Sequence, residues 1–195
     1  MTDKLQAYNE KRDFGKTAEP KGGTSSGEDR QFVVQLHYAS RTHYDFRLEH
    51  DGVLVSWAVP KGPSFNPKDK RLAVRTEDHP YDYKDFEGTI PKGEYGGGTV
   101  LIWDRGTWEE QEDFAKGIKE GSVKIVLHGE RLQGKWALVR MKTEEKQENW
   151  LLIKEKDAFA QNKAGIEPWT TSVVSGLDKK GMEERTEEDP FPEKV

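Results

Sequence analysis

No cysteine occurs among the 195 residues. That excludes disulfides, thiolate zinc sites and cysteine nucleophiles, and it fits a reducing compartment. No apolar run approaches membrane-crossing length, and the opening MTDKLQAYNEKRDF lacks the apolar core of a signal peptide. The expectation is a soluble, cytoplasmic protein with no membrane partner. Apolar residues are also scarce, at 33% against 34% charged, but six Trp, eight Phe and six Tyr each remove a large area from water when buried. Length and composition predict one domain with its own core, and no internal repeat is visible. An excess of positive charge is missing too: the net charge is −5. Residues 181–195 hold six acidic and two basic side chains, a balance of −4, so the remaining body is close to neutral. Such a body can hold a nucleic-acid end in one basic groove, but does not coat long duplex.

What is present is a succession of short β segments. Residues 15–30 are rich in Gly, Ser and Lys and read as a flexible segment, preceded by a short helix or arm over Leu5–Phe14. Alternation predicts strands at Phe32–Tyr38, Tyr44–His50 and Val53–Val59, with Asp51-Gly52 as a hairpin turn. Further strands are predicted at Arg71–Thr76, Thr99–Asp104, Thr107–Glu110, Ser122–His128, Lys135–Met141 and Trp150–Lys154, with a turn at Arg105-Gly106. Asp113–Lys119 reads as a helix. The expected fold is mainly all-β, a small barrel with a groove on its outer surface and one or two short helices. The expected organisation is an arm over residues 1–30, a β-barrel core over 31–165 and a partly disordered acidic extension over 166–195, with 176–195 disordered or a linker.

The residues from His37 to Glu49 carry the chemistry. With a period of two, His43, Asp45 and Arg47 share one face of a strand, while Tyr44, Phe46 and Leu48 share the other. Two imidazoles and a carboxylate, with His37 just upstream, form a three-ligand set for Mn2+, Zn2+ or Fe2+ that leaves positions open for water or substrate. A guanidinium beside such a site matches two phosphate oxygens with its planar fork. His79 precedes Pro80, which marks a loop, and is a candidate general acid; Tyr83 is a candidate oxyanion donor. His50 and His128 read as surface residues. The glycine-rich Lys92–Gly98 lacks the Gly-Lys-Ser/Thr ending of a phosphate loop and precedes a strand, so it reads as a tight turn. Trp57, Trp103, Trp108, Trp136 and Trp150 read as barrel core.

Several blocks together resemble the 3'-phosphoesterase domain of bacterial DNA ligase D and its stand-alone homologues. They are Lys11–Phe14, Thr17–Pro20, Phe32–Gln35, His37, His43–Glu49, Ser56–Pro63, Glu77–Pro80, Tyr83 and Phe86–Gly98, with a later Trp169–Val173. The likeness covers roughly residues 8–160; Leu36, Tyr38 and Ala18 depart from the family pattern. The resemblance implies a small β barrel and a Mn2+-dependent hydrolase that heals DNA 3' ends in nonhomologous end joining. It implies removal of a 3'-terminal ribonucleoside to leave a 3'-phosphate, then hydrolysis of that phosphate to a 3'-OH. By the same resemblance His37, His43 and Asp45 are metal ligands, and Arg47, His79 and Tyr83 contact the reacting phosphate. Arg12, Asp13 and Glu19 support the ribonucleoside step, with Gln35, Lys61 and Arg71 as substrate-binding or supporting residues. Implied partners are DNA 3' ends on a primer–template, a separate ATP-dependent DNA ligase, a primase-polymerase and Ku; the protein is expected to be a monomer. A catalytically silent DNA-end-binding module that recruits ligase or polymerase, and a metal-dependent nuclease of broader specificity, are the competing readings.

Overall fold

The computed structural model describes residues 4–22 and 30–191. Nine antiparallel strands form one sheet: β1 (Gln31–Tyr38), β2 (Thr42–His50), β3 (Val53–Val59), β4 (Arg71–Pro80), β5 (Gly88–Ile90), β6 (Gly98–Glu110), β7 (Ser122–Gly129), β8 (Gln133–Arg140) and β9 (Asn149–Lys154). Their order is β1-β2-β3-β4-β9-β8-β7-β6-β5, and β1 also pairs with β6. That pairing closes eight strands into a barrel and leaves β5 as a short flap on β6. The β2–β3 hairpin turns through Asp51 and Gly52, both with positive φ, the conformation that a two-residue turn between twisted strands demands. The three short α-helices are α1 (Gln6–Glu10), α2 (Phe114–Glu120) and α3 (Lys179–Glu188). Asp113 caps α2 by accepting the Lys116 amide.

The inward positions of the strands are apolar. Trp57, Trp103, Trp108, Trp136 and Trp150 are all buried in the barrel, as their places in alternating segments predict. Trp57 and Trp150 meet edge to face with centroids 5.8 Å apart, a favoured aromatic geometry. A second, smaller apolar cluster lies outside the barrel, where Tyr8 packs with Leu54, Tyr83, Phe86, Ile90 and Val100. This outer cluster docks the N-terminal arm. Leu5, Tyr8, Thr17 and Glu19 are buried there, so residues 15–22 are ordered and not the flexible segment expected; the rest of that expectation, at residues 23–29, lies outside the described residues.

Three further expectations are corrected. Arg105-Gly106 is not a turn: β6 runs unbroken through it. Gly106 is there because the strand passes close to β7, where a Cβ would stand 2.0 Å from the His128 carbonyl oxygen. β4 extends through His79 to Pro80, so His79 is on a strand and not in a loop. Pro80 is tolerated because it is the strand's last residue. Finally, residues 176–191 are neither disordered nor a linker. α3 begins at Asp178, whose side chain accepts the Gly181 amide, and it buries Met182 completely against the barrel. Thr186 of α3 accepts the Thr89 amide of β5, and Glu183 accepts from the Thr99 hydroxyl of β6. The low apolar content of the helix conceals its buried apolar anchor.

Met182→Ala is therefore expected to lower unfolding stability by about 2–4 kcal/mol, the usual cost of truncating a buried large side chain. Met141→Ala, at an exposed position, is expected to stay within roughly 0.5 kcal/mol. Urea denaturation of both variants checks the contrast; equal effects would mean that α3 does not depend on its buried methionine.

Candidate active site

Register decides which side chains share the outer face. His37 lies opposite His43, and Gln35 opposite Asp45, which faces Ala58 on β3. In the next row Arg47 faces Ser56, and Ser56 faces Thr76 on β4. Between Leu54 and Ser56 the β3–β4 ladder carries a bulge, with Leu54 opposite His79. The extra residue lets Thr76 and His79, three apart, face the same side. β1 and β2 thus present the ligand set and Arg47, β4 presents His79, and the small side chains of β3 lie between them. The resulting cavity of about 310 Å3 is lined by Arg12, Glu19, His37, His43, Asp45, Arg47, Glu77, His79, Tyr83 and Tyr95, among others.

His37, His43 and Asp45 place one ligand atom each within 4.8 Å of one another. Backbone carbonyls fix both imidazoles. Nε2 of His37 lies 2.6 Å from the Gly96 oxygen, and Nδ1 of His43 lies 3.0 Å from the Arg41 oxygen. A carbonyl can only accept, so each of these nitrogens carries the hydrogen in the neutral ring. The bare nitrogens, His37 Nδ1 and His43 Nε2, then face the same Asp45 oxygen at 3.5 and 3.2 Å. Burial pushes Asp45 upward, but the charge of Arg47 outweighs it and holds the carboxyl well below its usual range. Two lone pairs aimed at a buried carboxylate are mutually repulsive unless a cation stands among them. Imidazoles oriented by outer carbonyls are also what metal-ligating histidines typically show. The donor set fits a divalent metal.

Beside the ligands lies a phosphate-sized set of donors. Arg47 donates from Nε to Gln35 Oε1 at 2.7 Å, and its Nη2 lies 3.5 Å from Asp45. Its buried Nη1 has no hydrogen-bond partner among the described residues. Gln35 is held from below by donating to the carbonyls of Tyr83 and Phe86. The arm adds Arg12, whose Nε donates to Glu19 at 2.9 Å while Nη2 approaches His79 Nε2 at 3.5 Å. Tyr83 follows β4 in a short 3-10 turn and donates its hydroxyl to Glu19 at 2.6 Å. Its ring packs edge-on against His79 and under the Arg47 guanidinium. Burial, then Glu19, push the Tyr83 phenol well above its usual range, so it stays protonated. His79 faces the Glu77 carbonyl through Nδ1 at 2.9 Å, which leaves Nε2, facing Arg12 Nη2, as the nitrogen without a hydrogen. Burial, reinforced by Arg47 and Arg12, holds His79 well below its usual range and therefore neutral.

Of the residues singled out from sequence, the cavity gathers His37, His43, Asp45, Arg47, His79, Tyr83, Arg12 and Glu19, with Gln35 supporting Arg47. Asp13, Lys61 and Arg71 do not line it. Asp13 is turned outward to the Gly15 amide and Lys16, Lys61 is exposed after β3, and Arg71 opens β4 opposite Leu152. His128 is exposed and pairs with Glu109, while His50 is only partly exposed and rests on Phe114. Sequence reasoning assigned no role to Glu77 or Tyr95. Glu77 lies 3.3 Å from Lys11 and 3.7 Å from Arg12. Reading β4 one residue further than Thr76 would have brought it in.

Two outcomes follow for stability. Arg12 and Glu19 are almost completely buried as a pair, so Glu19→Gln leaves the Arg12 charge only its longer contact with Glu77 and is expected to cost about 3 kcal/mol in urea unfolding. His79 is neutral when folded, so the unfolded chain binds the extra proton below the ordinary histidine pKa of about 6.5. The His79 contribution to stability is then expected to fall as pH drops through that value. Unfolding at pH values on either side of it checks this. His79→Phe should lose that component.

The chain matches the family described as DNA Ligase D 3'-phosphoesterase domain over residues 35–140. It is 50% identical over 161 residues to the multifunctional non-homologous end joining protein LigD of Pseudomonas aeruginosa, covering 81% of this chain and 19% of that protein. Against the multifunctional non-homologous end joining DNA repair protein LigD of Mycobacterium tuberculosis it is 50% identical over 142 residues, 72% of this chain and 19% of the relative. The LigD of Mycolicibacterium smegmatis is 45% identical over 165 residues, 80% of this chain and 21% of the relative. The chain thus spans about a fifth of the length of these relatives. Every cavity residue on strands β1 to β4 falls inside the matched region, and the barrel, the ligand triad and this likeness agree: the chain belongs to the DNA ligase D 3'-phosphoesterase domain family.

Proposed function

We propose that the protein is a Mn2+-dependent phosphoesterase that heals DNA 3' ends in double-strand break repair by nonhomologous end joining. It removes a 3'-terminal ribonucleoside to leave a 3'-phosphate, then hydrolyses that phosphate to a 3'-OH. DNA 3' ends on a primer–template are the substrate, and an ATP-dependent ligase activity, a primase-polymerase and Ku are the partners this reading calls for. The single observation that carries it is a cation-ready His37–His43–Asp45 cluster beside an Arg47 whose Nη1 is buried without a partner. A buried donor without an acceptor is costly, and a phosphate oxygen would satisfy it.

When bound, a divalent metal supplies charge for a phosphoryl oxygen and lowers the pKa of a coordinated water. The remaining work falls to side chains. Arg47 offers its free N–H to the phosphate while Gln35 keeps the guanidinium from rotating away. Arg12, fixed by Glu19 and the Tyr8 carbonyl, flanks the same space. Burial, then the two guanidiniums, hold His79 neutral; an arriving phosphate offsets the guanidinium charge and adds its own negative charge, which favours a proton on His79 once the substrate is bound. Its Nε2–H then donates to the leaving oxygen as the bond breaks, while Nδ1 remains on the Glu77 carbonyl. Tyr83, committed to Glu19, acts by holding His79 and Arg47 in place.

The test is phosphate release from a primer–template with a 3'-phosphate in Mn2+. His43→Ala, which removes one ligand but leaves the barrel interior intact, is expected to lower the rate at least 100-fold. Outer-shell partners of metal ligands alone are worth about 10–100-fold. Turnover equal to that of the parent protein would remove the metal-site reading.

A further inference from the structure

We propose that Tyr95 is a nucleobase platform: its ring stacks on the base of the terminal nucleoside, a subsite beside the phosphate and metal positions. The inference deepens the reading above and rests on it. Among the large apolar side chains left exposed in the described residues, Tyr95 is the one that lines the catalytic cavity, and 48% of it is open to solvent. It is not a mobile tip. The turn between β5 and β6 that carries it is closed by the Glu94 amide on the Pro91 carbonyl and the Gly97 amide on the Glu94 carbonyl. Two cations hold the ring from the arm: Lys11 Nζ lies 4.9 Å and Arg12 Cζ 5.3 Å from its centroid, and Lys11 also reaches its hydroxyl at 3.4 Å. The ring is thus held in place while about half of its surface is unused.

Position supplies the second argument. The next residue, Gly96, gives the carbonyl that orients His37. The platform and one arm of the ligand set are therefore placed by consecutive residues. A phosphate held at Arg47 and the ligand cluster carries its departing nucleoside toward this rim. Arg12 and Glu77 line the cavity beside Tyr95, polar groups suited to a sugar and not to a base. An aromatic face accepts any base, because every base has a π surface, so the subsite tolerates all four. That property suits an enzyme that must clear whichever nucleotide stands at the end.

The experiment compares two primer–templates in Mn2+ with the full chain. One ends in a ribonucleotide; the other ends in the same ribose without its base. The parent protein is expected to favour the base-bearing end by roughly 10- to 100-fold in KM, the range that one stacked base supplies. Tyr95→Ala is expected to lose that preference, and Tyr95→Phe and Tyr95→Trp to keep it. A purely structural role for the loop would lower turnover of both ends alike and leave the preference standing, which would overturn the proposal. So would a parent protein that cleaves both ends with equal KM, an outcome that leaves the phosphoesterase reading intact. A parent that releases nucleoside from neither end overturns that reading and this one with it.

Discussion

The site depends on one buried negative charge. Asp45 is kept ionised inside the fold by the charge of Arg47. Everything around it exists to keep that charge aimed. Gly96 and Arg41 carbonyls turn the histidines so that their bare nitrogens point at the same oxygen, and Gln35 keeps Arg47 at its side. A carboxylate so placed is costly to bury alone. The arrangement makes physical sense as a socket whose charge balance is completed from outside, and it explains why a cation and an anionic ester can be held next to each other.

The barrel contributes precision. Because β1, β2 and β3 pair in strict register, side chains from three strands fall into rows on the outer face, and β3 gives Ser56 and Ala58 where room is needed. The bulge opposite Leu54 then turns His79 inward across that gap. The arm completes the far wall. Its apolar residues, above all Tyr8, dock on the outer cluster, and this anchoring is what allows the charged pair of Arg12 and Glu19 to be buried next to the reacting groups.

Much of this was legible in the chain because alternation is a local property. The shared face of His43, Asp45 and Arg47, the tryptophan core and the Asp51-Gly52 turn all follow from spacing alone. The failures were of three physical kinds. Proline beside His79 suggested a loop, since a strand end tolerates proline as readily as a turn does. Gly106 suggested a turn, since a close backbone approach demands the same residue. In α3 a buried methionine anchors an otherwise charged helix, and charge dominates any average over the segment. Contacts between distant segments, such as Tyr83 with Glu19 or Tyr95 with Lys11, leave no local trace. The place of Arg12 and Glu19 came only from the family likeness.

The cover that α3 gives to β5 reaches beyond catalysis. Closure between β1 and β6 leaves β5 as the flap at the sheet's border, with its middle amide satisfied by Thr186 and Pro91, which has no N–H, following its last residue. Exposed strand borders are where one molecule templates another into aggregates. With that border occupied by its own helix, β5 is not offered to a crowding neighbour as a strand to copy, and loosening α3 would expose it.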